Sequence, residues 1–211
     1  MLRYISKIIS SLLVTVLFLL NSCSTIMTDR SVKYNKLKVL SDISTIDESY
    51  TELNSLLYVD INNQNMYLLK KGTIFKAFKI SSSYYGTGSE VNSLKTPLGK
   101  HEIYKKIGAT LPINAILKGR IWSGAIASVI TEEVDTDFDH VTSRILWLDG
   151  LEIGKNKGPG VDSRSRYIYI HGTAEEGLIG KPASDGCIRM YNSDVIDLFD
   201  LVDEKVQVWI Y

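Results

Sequence analysis

Cysteine is nearly absent: two residues in 211, too few for a disulfide framework. Histidine is as scarce. His101, His140 and His171 have no metal-ligand spacing with Cys187, so the donors for a structural metal site are missing. Net charge is absent too, with 24 Lys and Arg against 24 Asp and Glu. No basic stripe points to nucleic acid, and no acidic block points to a solvating tail. There is no internal repeat, no low-complexity tract, no P-loop and no dinucleotide-binding glycine pattern. What remains is 45% hydrophobic and 23% charged, enough for one ordinary packed domain with a remainder.

The only long apolar run is "IISSLLVTVLFLL", Ile8 to Leu20. It follows Arg3 and Lys7 and is short for a bilayer span, so residues 1–22 read as a secretory signal. The next four residues, "LNSC" from Leu20 to Cys23, resemble a bacterial lipobox. That resemblance implies cleavage before Cys23 and acylation of it. The membrane anchor would gain about 0.8 kcal/mol per buried methylene. The anchor implies the cell envelope, and Ser24 after the cysteine, by resemblance to the Gram-negative sorting rule, implies the outer membrane facing the periplasm if the source is Gram-negative. If Cys23 is lipidated, Cys187 has no partner. A free thiol in an oxidising compartment is then either buried and inert or kept for its reactivity.

Residues 23–54 are polar and read as a lipidated N-terminus and tether, ending in a short helix within "IDESYTELNSLL" that docks on the domain. From residue 55 to 211 the pattern is mostly strand. "LLYVDINNQNMYLLKKGTIFKAFKIS" reads as three strands with turns at Asn62-Asn63 and Lys71-Gly72. "SRYIYIHG" is a compact strand ending at His171-Gly172. "NSDVIDLFDLV" is the clear helix, with Val195, Ile196, Phe199 and Val202 on one face and Asn192 or Ser193 as cap. "KVQVWIY" alternates Val206, Val208 and Ile210 as a closing strand.

The chemistry centres on "ASDGCIRM", Ala183 to Met190. Cys187 follows Gly186, which leaves room above the sulfur, and lies sixteen residues after His171. A thiol is a strong nucleophile only as thiolate, and a histidine within hydrogen-bond reach can take its proton. A lone cysteine is also a good small core residue, and a lone histidine a satisfied structural one. Both readings stand on these residues alone.

"YIYIHGTAEEGLIGKPASDGCIRM" resembles the signature of the L,D-transpeptidase catalytic domain family, also called YkuD-like: His-Gly, a loop, then Ser/Thr-His-Gly-Cys with Arg or Asn following. Further resemblances are "YVDINNQNMYLLKKG" with Gln64, the Thr96-Pro97-Gly99 segment, and the helix and closing strand. The likeness covers about residues 56–211. It implies a mostly-β sandwich of mixed sheets with one short helix after the cysteine. It also implies two acyl transfers on peptidoglycan stem peptides, through a thioester on Cys187 with His171 as general base and acid, and with no cofactor. A hydrolytic outcome, an L,D-carboxypeptidase, uses the same residues, and a non-catalytic wall-binding lipoprotein is the third reading. By the same resemblance, a carbonyl at or near Gly172 holds the imidazole, and backbone N–H groups at Gly186 and Cys187 stabilise the oxyanion. Ser184 and Arg189 are candidates for substrate binding, with a buried ion pair as the other reading of Arg189. Asp185 departs from the pattern, which has histidine there. A carboxylate near the thiol raises its pKa unless it points away or bonds His171.

Overall fold

The computed structural model describes residues 32–137 and 139–211. The signal segment 1–22 and Cys23 lie outside the described residues. Ten strands dominate: β1 (Ser55–Asp60), β2 (Asn65–Lys70), β3 (Thr73–Lys79), β4 (Gly99–Ile107), β5 (Ala115–Lys118), β6 (Ile121–Ile126), β7 (Val141–Gly150), β8 (Tyr169–Thr173), β9 (Ile188–Met190) and β10 (Gln207–Ile210). Among the described residues two α-helices accompany them, α1 (Lys36–Ile46) and α2 (Asn192–Leu201). The strand content and mixed pairing match the expected fold class. The expected helix after the cysteine is α2, and α1 is a docking helix before the domain, earlier in the chain than the stretch expected to form one.

The strands follow the order β3-β2-β1-β10-β4-β7, and β7 carries both the β5–β6 hairpin and the β8–β9 pair. Pairing is parallel at β1–β10 and β8–β9 and antiparallel at the other strand pairs. Just past β3, Ser81 and Arg189 exchange backbone bonds of 2.9 and 2.8 Å. The hydrogen-bonded path therefore closes from β9 back to the end of β3, so the layers of the expected sandwich form one continuous sheet. The main core lies inside this closure. Leu57, Val59, Leu68, Ile103, Leu148, Ile170, Ile188, Val208 and Ile210 are all fully buried in it.

β1 is apolar at every position from Leu56 to Val59, not alternating, because both its faces are covered. Leu57 and Val59 face the main core. Leu56 and Tyr58 face a second cluster with Tyr67, Leu69 and Trp209, and α1 covers that cluster with Val39 and Ile43. Burying two such aliphatic side chains contributes roughly 1.5–3 kcal/mol each, which is what holds α1 in place. Asn35 caps it, accepting from Lys38 N at 3.1 Å. The stretch expected to be tether thus folds onto the sheet from residue 36. "IDESYTELNSLL" supplies the end of α1, a 3-10 turn at Glu48–Glu52 and the start of β1.

α2 matches its expected span, with two differences. Tyr191, not Asn192 or Ser193, stands at the cap position, and its side chain does not cap the helix. Leu198, not Ile196, completes the buried face with Val195 and Phe199. The Asn192 side chain is used elsewhere, as described below. His171 lies in the middle of β8, not at its end, because the strand begins at Tyr169.

Candidate active site

β8 and β9 bring the two halves of the motif together. They run parallel, with His171 opposite Arg189 and Ile170 opposite Ile188. Cys187 immediately precedes β9, beside Tyr169. Glycine at 172 is required by space: a Cβ there would lie 2.6 Å from Asn192 Oδ1 and 2.9 Å from the Thr142 carbonyl. That Asn192 amide ties three elements. Its Oδ1 accepts from Thr142 Oγ1 and Ser143 Oγ, both at 2.6 Å, and its Nδ2 donates to the Thr173 carbonyl at 2.7 Å.

His171 is 1% exposed. Its Nδ1–H donates to the Gly172 carbonyl at 2.7 Å. A carbonyl only accepts, so the neutral ring carries its proton on Nδ1 and keeps the Nε2 lone pair. Burial pulls the imidazole below its ordinary pKa, and Arg189 adds to this. The Asp139 carboxylate and the Gly172 bond oppose it.

Cys187 is half-buried. Its side chain packs against the cluster of Leu117, Ile145 and Tyr169, edged by Ile107, Leu111, Val141 and Trp147. The 107–162 segment thus supplies one wall of the site. Tyr169 N–H donates to Sγ at 3.3 Å, and the thiol donates to the Tyr167 carbonyl at 3.5 Å. Burial pushes the thiol up to about 12, against the pull of Tyr169 N–H, Arg189 and Arg166, while Asp139 pushes it further up. Among the described residues no hydrogen bond joins the thiol to His171. The resting pair is therefore neutral thiol and neutral imidazole, not an ion pair. Such bonds commonly tighten only once substrate is in place.

The cysteine loop is fixed from below. Thr96 Oγ1 donates to the Gly186 carbonyl at 3.0 Å and accepts from Ser83 N at 3.0 Å. Gly186 has φ +117°, and a Cβ there would press on the Lys95 and Leu94 carbonyls at 3.3 and 3.4 Å. Ser184 is fully buried. Its Oγ donates to the Cys187 carbonyl at 2.5 Å and accepts from Gly186 N at 3.2 Å. Ser184 therefore holds the loop and is not placed to bind substrate, and Gly186 N–H is taken. Cys187 N–H donates to nothing among the described residues.

Arg189 is also not placed to reach substrate. It is 2% exposed, with its guanidinium on Glu175 at 2.8 Å and Asp139 at 2.7 Å. Glu175 in turn accepts from Thr136 N and Oγ1 at 2.8 and 2.6 Å. The buried-ion-pair reading of Arg189 is the one the structure takes. Asp185 is exposed, makes no hydrogen bond or ion pair among the described residues, and is not among the groups that shift either His171 or Cys187. The carboxylate that acts on both is Asp139, which sequence reasoning missed. It lies in "EEVDTDFDH", where nothing separates it from its solvated neighbours.

The model of the L,D-transpeptidase catalytic domain matches residues 54–210. The chain belongs to this family. Among curated relatives, YkuD of Bacillus subtilis is 51% identical over 65 residues, 28% of this chain and 40% of that one. YqjB of the same organism is 46% identical over 52 residues, 24% of this chain and 28% of that one. The chain thus matches less than half the length of either relative. Among solved structures, L,D-transpeptidase 3 of Mycobacterium tuberculosis with a faropenem-derived adduct is 14% identical, with a TM-score of 0.46 over 74% of this chain and 60% of that one. The catalytic domain of the Enterococcus faecium L,D-transpeptidase, acylated by ertapenem, is 19% identical, with a TM-score of 0.45 over 75% and 97%. In this L,D-transpeptidase domain the histidine stands on β8 and the cysteine immediately before the neighbouring strand β9. Its Asp185 remains the departure from the family pattern.

Proposed function

We propose that the chain is a peptidoglycan L,D-transpeptidase that forms 3→3 cross-links through a thioester on Cys187. The observation that carries this is the placement of His171. With Nδ1 bound to the Gly172 carbonyl, its Nε2 lone pair is left free on the strand paired with the one that follows Cys187. The half-buried thiol, the unbonded Cys187 N–H and the apolar wall of Leu117, Ile145 and Tyr169 support the same reading.

In the first step Sγ attacks the carbonyl carbon after the L-centre of the third stem residue, and His171 Nε2 takes the thiol proton. Cys187 N–H receives the developing oxyanion; one such donor contributes roughly 2.7–4 kcal/mol in comparable sites. The C–N bond breaks, and the terminal D-alanine leaves with the proton from His171. In the second step the side-chain amine of a neighbouring stem attacks the thioester, its proton passes to His171, the C–S bond breaks, and His171 returns the proton to Sγ. Water in place of the amine gives the carboxypeptidase. We further propose that Cys23 is the lipidated N-terminus and holds the domain at the envelope, facing the wall. The basic head, apolar run and "LNSC" of the sequence support this.

Incubation with purified tetrapeptide muropeptides, followed by mass spectrometry, tests the reading. Cross-linked dimer is the expected product. Tripeptide alone identifies the hydrolase, and unchanged tetrapeptide leaves the wall-binding reading.

A further inference from the structure

Most arginines near Cys187 are already bound. Arg189 is closed off by Glu175 and Asp139. Arg166 donates to the Gly88 and Lys95 carbonyls at 3.3 and 2.7 Å. Arg164 pairs with Asp149 at 3.9 Å. Arg120 differs: its guanidinium meets no carboxylate or carbonyl among the described residues. It lies over the rings of Trp147 and Tyr167, 4.7 and 4.9 Å from their centroids, and Nη1 donates to Tyr169 Oη at 3.1 Å. The planar fork carries more N–H donors than this contact uses. Arg120 is half-buried and Tyr167 is 51% exposed, so the cation stays accessible.

Its surroundings tie it to the thiol. Tyr167 and Tyr169, whose side chains hold Arg120, are also the residues whose backbone carbonyl and N–H touch Cys187 Sγ, at 3.5 and 3.3 Å. The backbone under Arg120 is strained. Gly119 and Arg120 form the two-residue turn of the β5–β6 hairpin, between the paired Lys118 and Ile121, with φ +54° and +70°. Such a turn needs positive φ at both positions, and glycine or asparagine is the usual occupant. An arginine held there points to a position kept for its side chain.

Chemistry names the ligand. An accessible guanidinium with an aromatic backing and no internal counter-ion suits a carboxylate, which it grips with two parallel bonds. A donor stem brings one close to the thiol, because the terminal D-alanine carries its carboxylate next to the scissile C–N bond. A dicarboxylic diamino acid at the third position brings another. We propose that Arg120 binds a carboxylate of the donor stem peptide, with Trp147 and Tyr167 as the floor of that subsite. This rests on the reading of Cys187 as the point of acyl transfer.

The test is calorimetric titration of the full chain carrying Cys187→Ala, which binds without turnover. Three stem tetrapeptides are compared: unmodified, amidated at the terminal carboxylate, and amidated at the diamino-acid carboxylate. The unmodified peptide should bind about tenfold or more tighter than one of the amides, which identifies the carboxylate. Arg120→Gly, which suits the turn, should lower the affinity for the unmodified peptide to that of this amide and leave the amide within about twofold. Arg120→Lys should recover only part of the loss. Equal loss for all three peptides in Arg120→Gly would make Arg120 a latch for the hairpin and overturn the proposal. So would unchanged affinity in that variant, equal binding of the three peptides, or no binding of any. Dimer formation by the unsubstituted chain is scored separately. Its absence with this binding pattern intact contradicts transpeptidation and leaves the subsite standing; its presence with the pattern missing does the reverse.

Discussion

Arg189 stands opposite His171 on the β8–β9 pair, yet its guanidinium is closed off by Glu175 at 2.8 Å and Asp139 at 2.7 Å. Its position beside the imidazole serves the architecture of the site. The pair with Glu175, itself fully buried, joins β9 to the loop after β8, and the pair with Asp139 fastens the strand-free segment before β7.

Removing the cation therefore strands a buried carboxylate. Arg189→Met is expected to lower unfolding free energy by about 3–5 kcal/mol, measured by urea denaturation. Arg189→Met with Glu175→Gln should recover part of that loss. A variant of near-normal stability whose defect is confined to KM would return Arg189 to substrate binding.

The thiol offers a pH test. With Cys187 pushed up to about 12, roughly one molecule in 10⁵ carries a thiolate at pH 7. Alkylation by iodoacetamide should keep rising about tenfold per pH unit from pH 8 to 11 in the folded protein, but level off above about pH 9 in urea. The same shift favours the folded state below the unfolded thiol's pKa near 8.5, and that contribution is lost as pH rises toward 12. A folded-state plateau near pH 8 would show an ion pair already formed with His171.

Asp185 is exposed and bonded to nothing among the described residues. Asp185→Ala and Asp185→His should each leave the rate of thiol alkylation and of acylation within about twofold, since screened surface charges interact weakly. A tenfold change in either variant would restore an orienting role for this side chain.

His101 gives the fold its own pH dependence. It is fully buried, donating from Nδ1 to the Gly99 carbonyl and accepting at Nε2 from Ser163 Oγ, both at 3.0 Å. Burial lowers its pKa to about 4, from the usual 6.5. Its folded pKa is depressed, so the stability it contributes is present above pH 6.5 and is lost as pH falls through 4, about 3 kcal/mol in all. His171 shifts in the same direction, so the comparison is with His101→Gln. The wild type should lose stability faster than this variant between pH 6.5 and 4. Parallel curves would contradict the assignment.

What was legible in the sequence follows local physics. Val208 and Ile210 alternate into the core of β10, and the glycines of "HG" and "DGC" stand where a Cβ would strike Asn192 or the Lys95 carbonyl. α1 was not legible. Its buried stripe is only Val39 and Ile43, Leu37 is 80% exposed, and the need to cover the outer face of β1 is a tertiary fact. The roles of Ser184, Arg189 and Asp185 were not legible either. Each depends on a partner distant in sequence, or on which way one loop side chain points. Asp139 and Glu175 meet Arg189 across separations that no spacing rule encodes.

The central claim is that Cys187 is the nucleophile and His171 its base. Intact-mass measurement after exposure to a carbapenem tests it most directly. The account predicts one adduct mapped to Cys187, absent in Cys187→Ala and formed at least a hundredfold more slowly in His171→Asn, both variants remaining folded. An adduct that persists in Cys187→Ala, or none in the wild type, would contradict it.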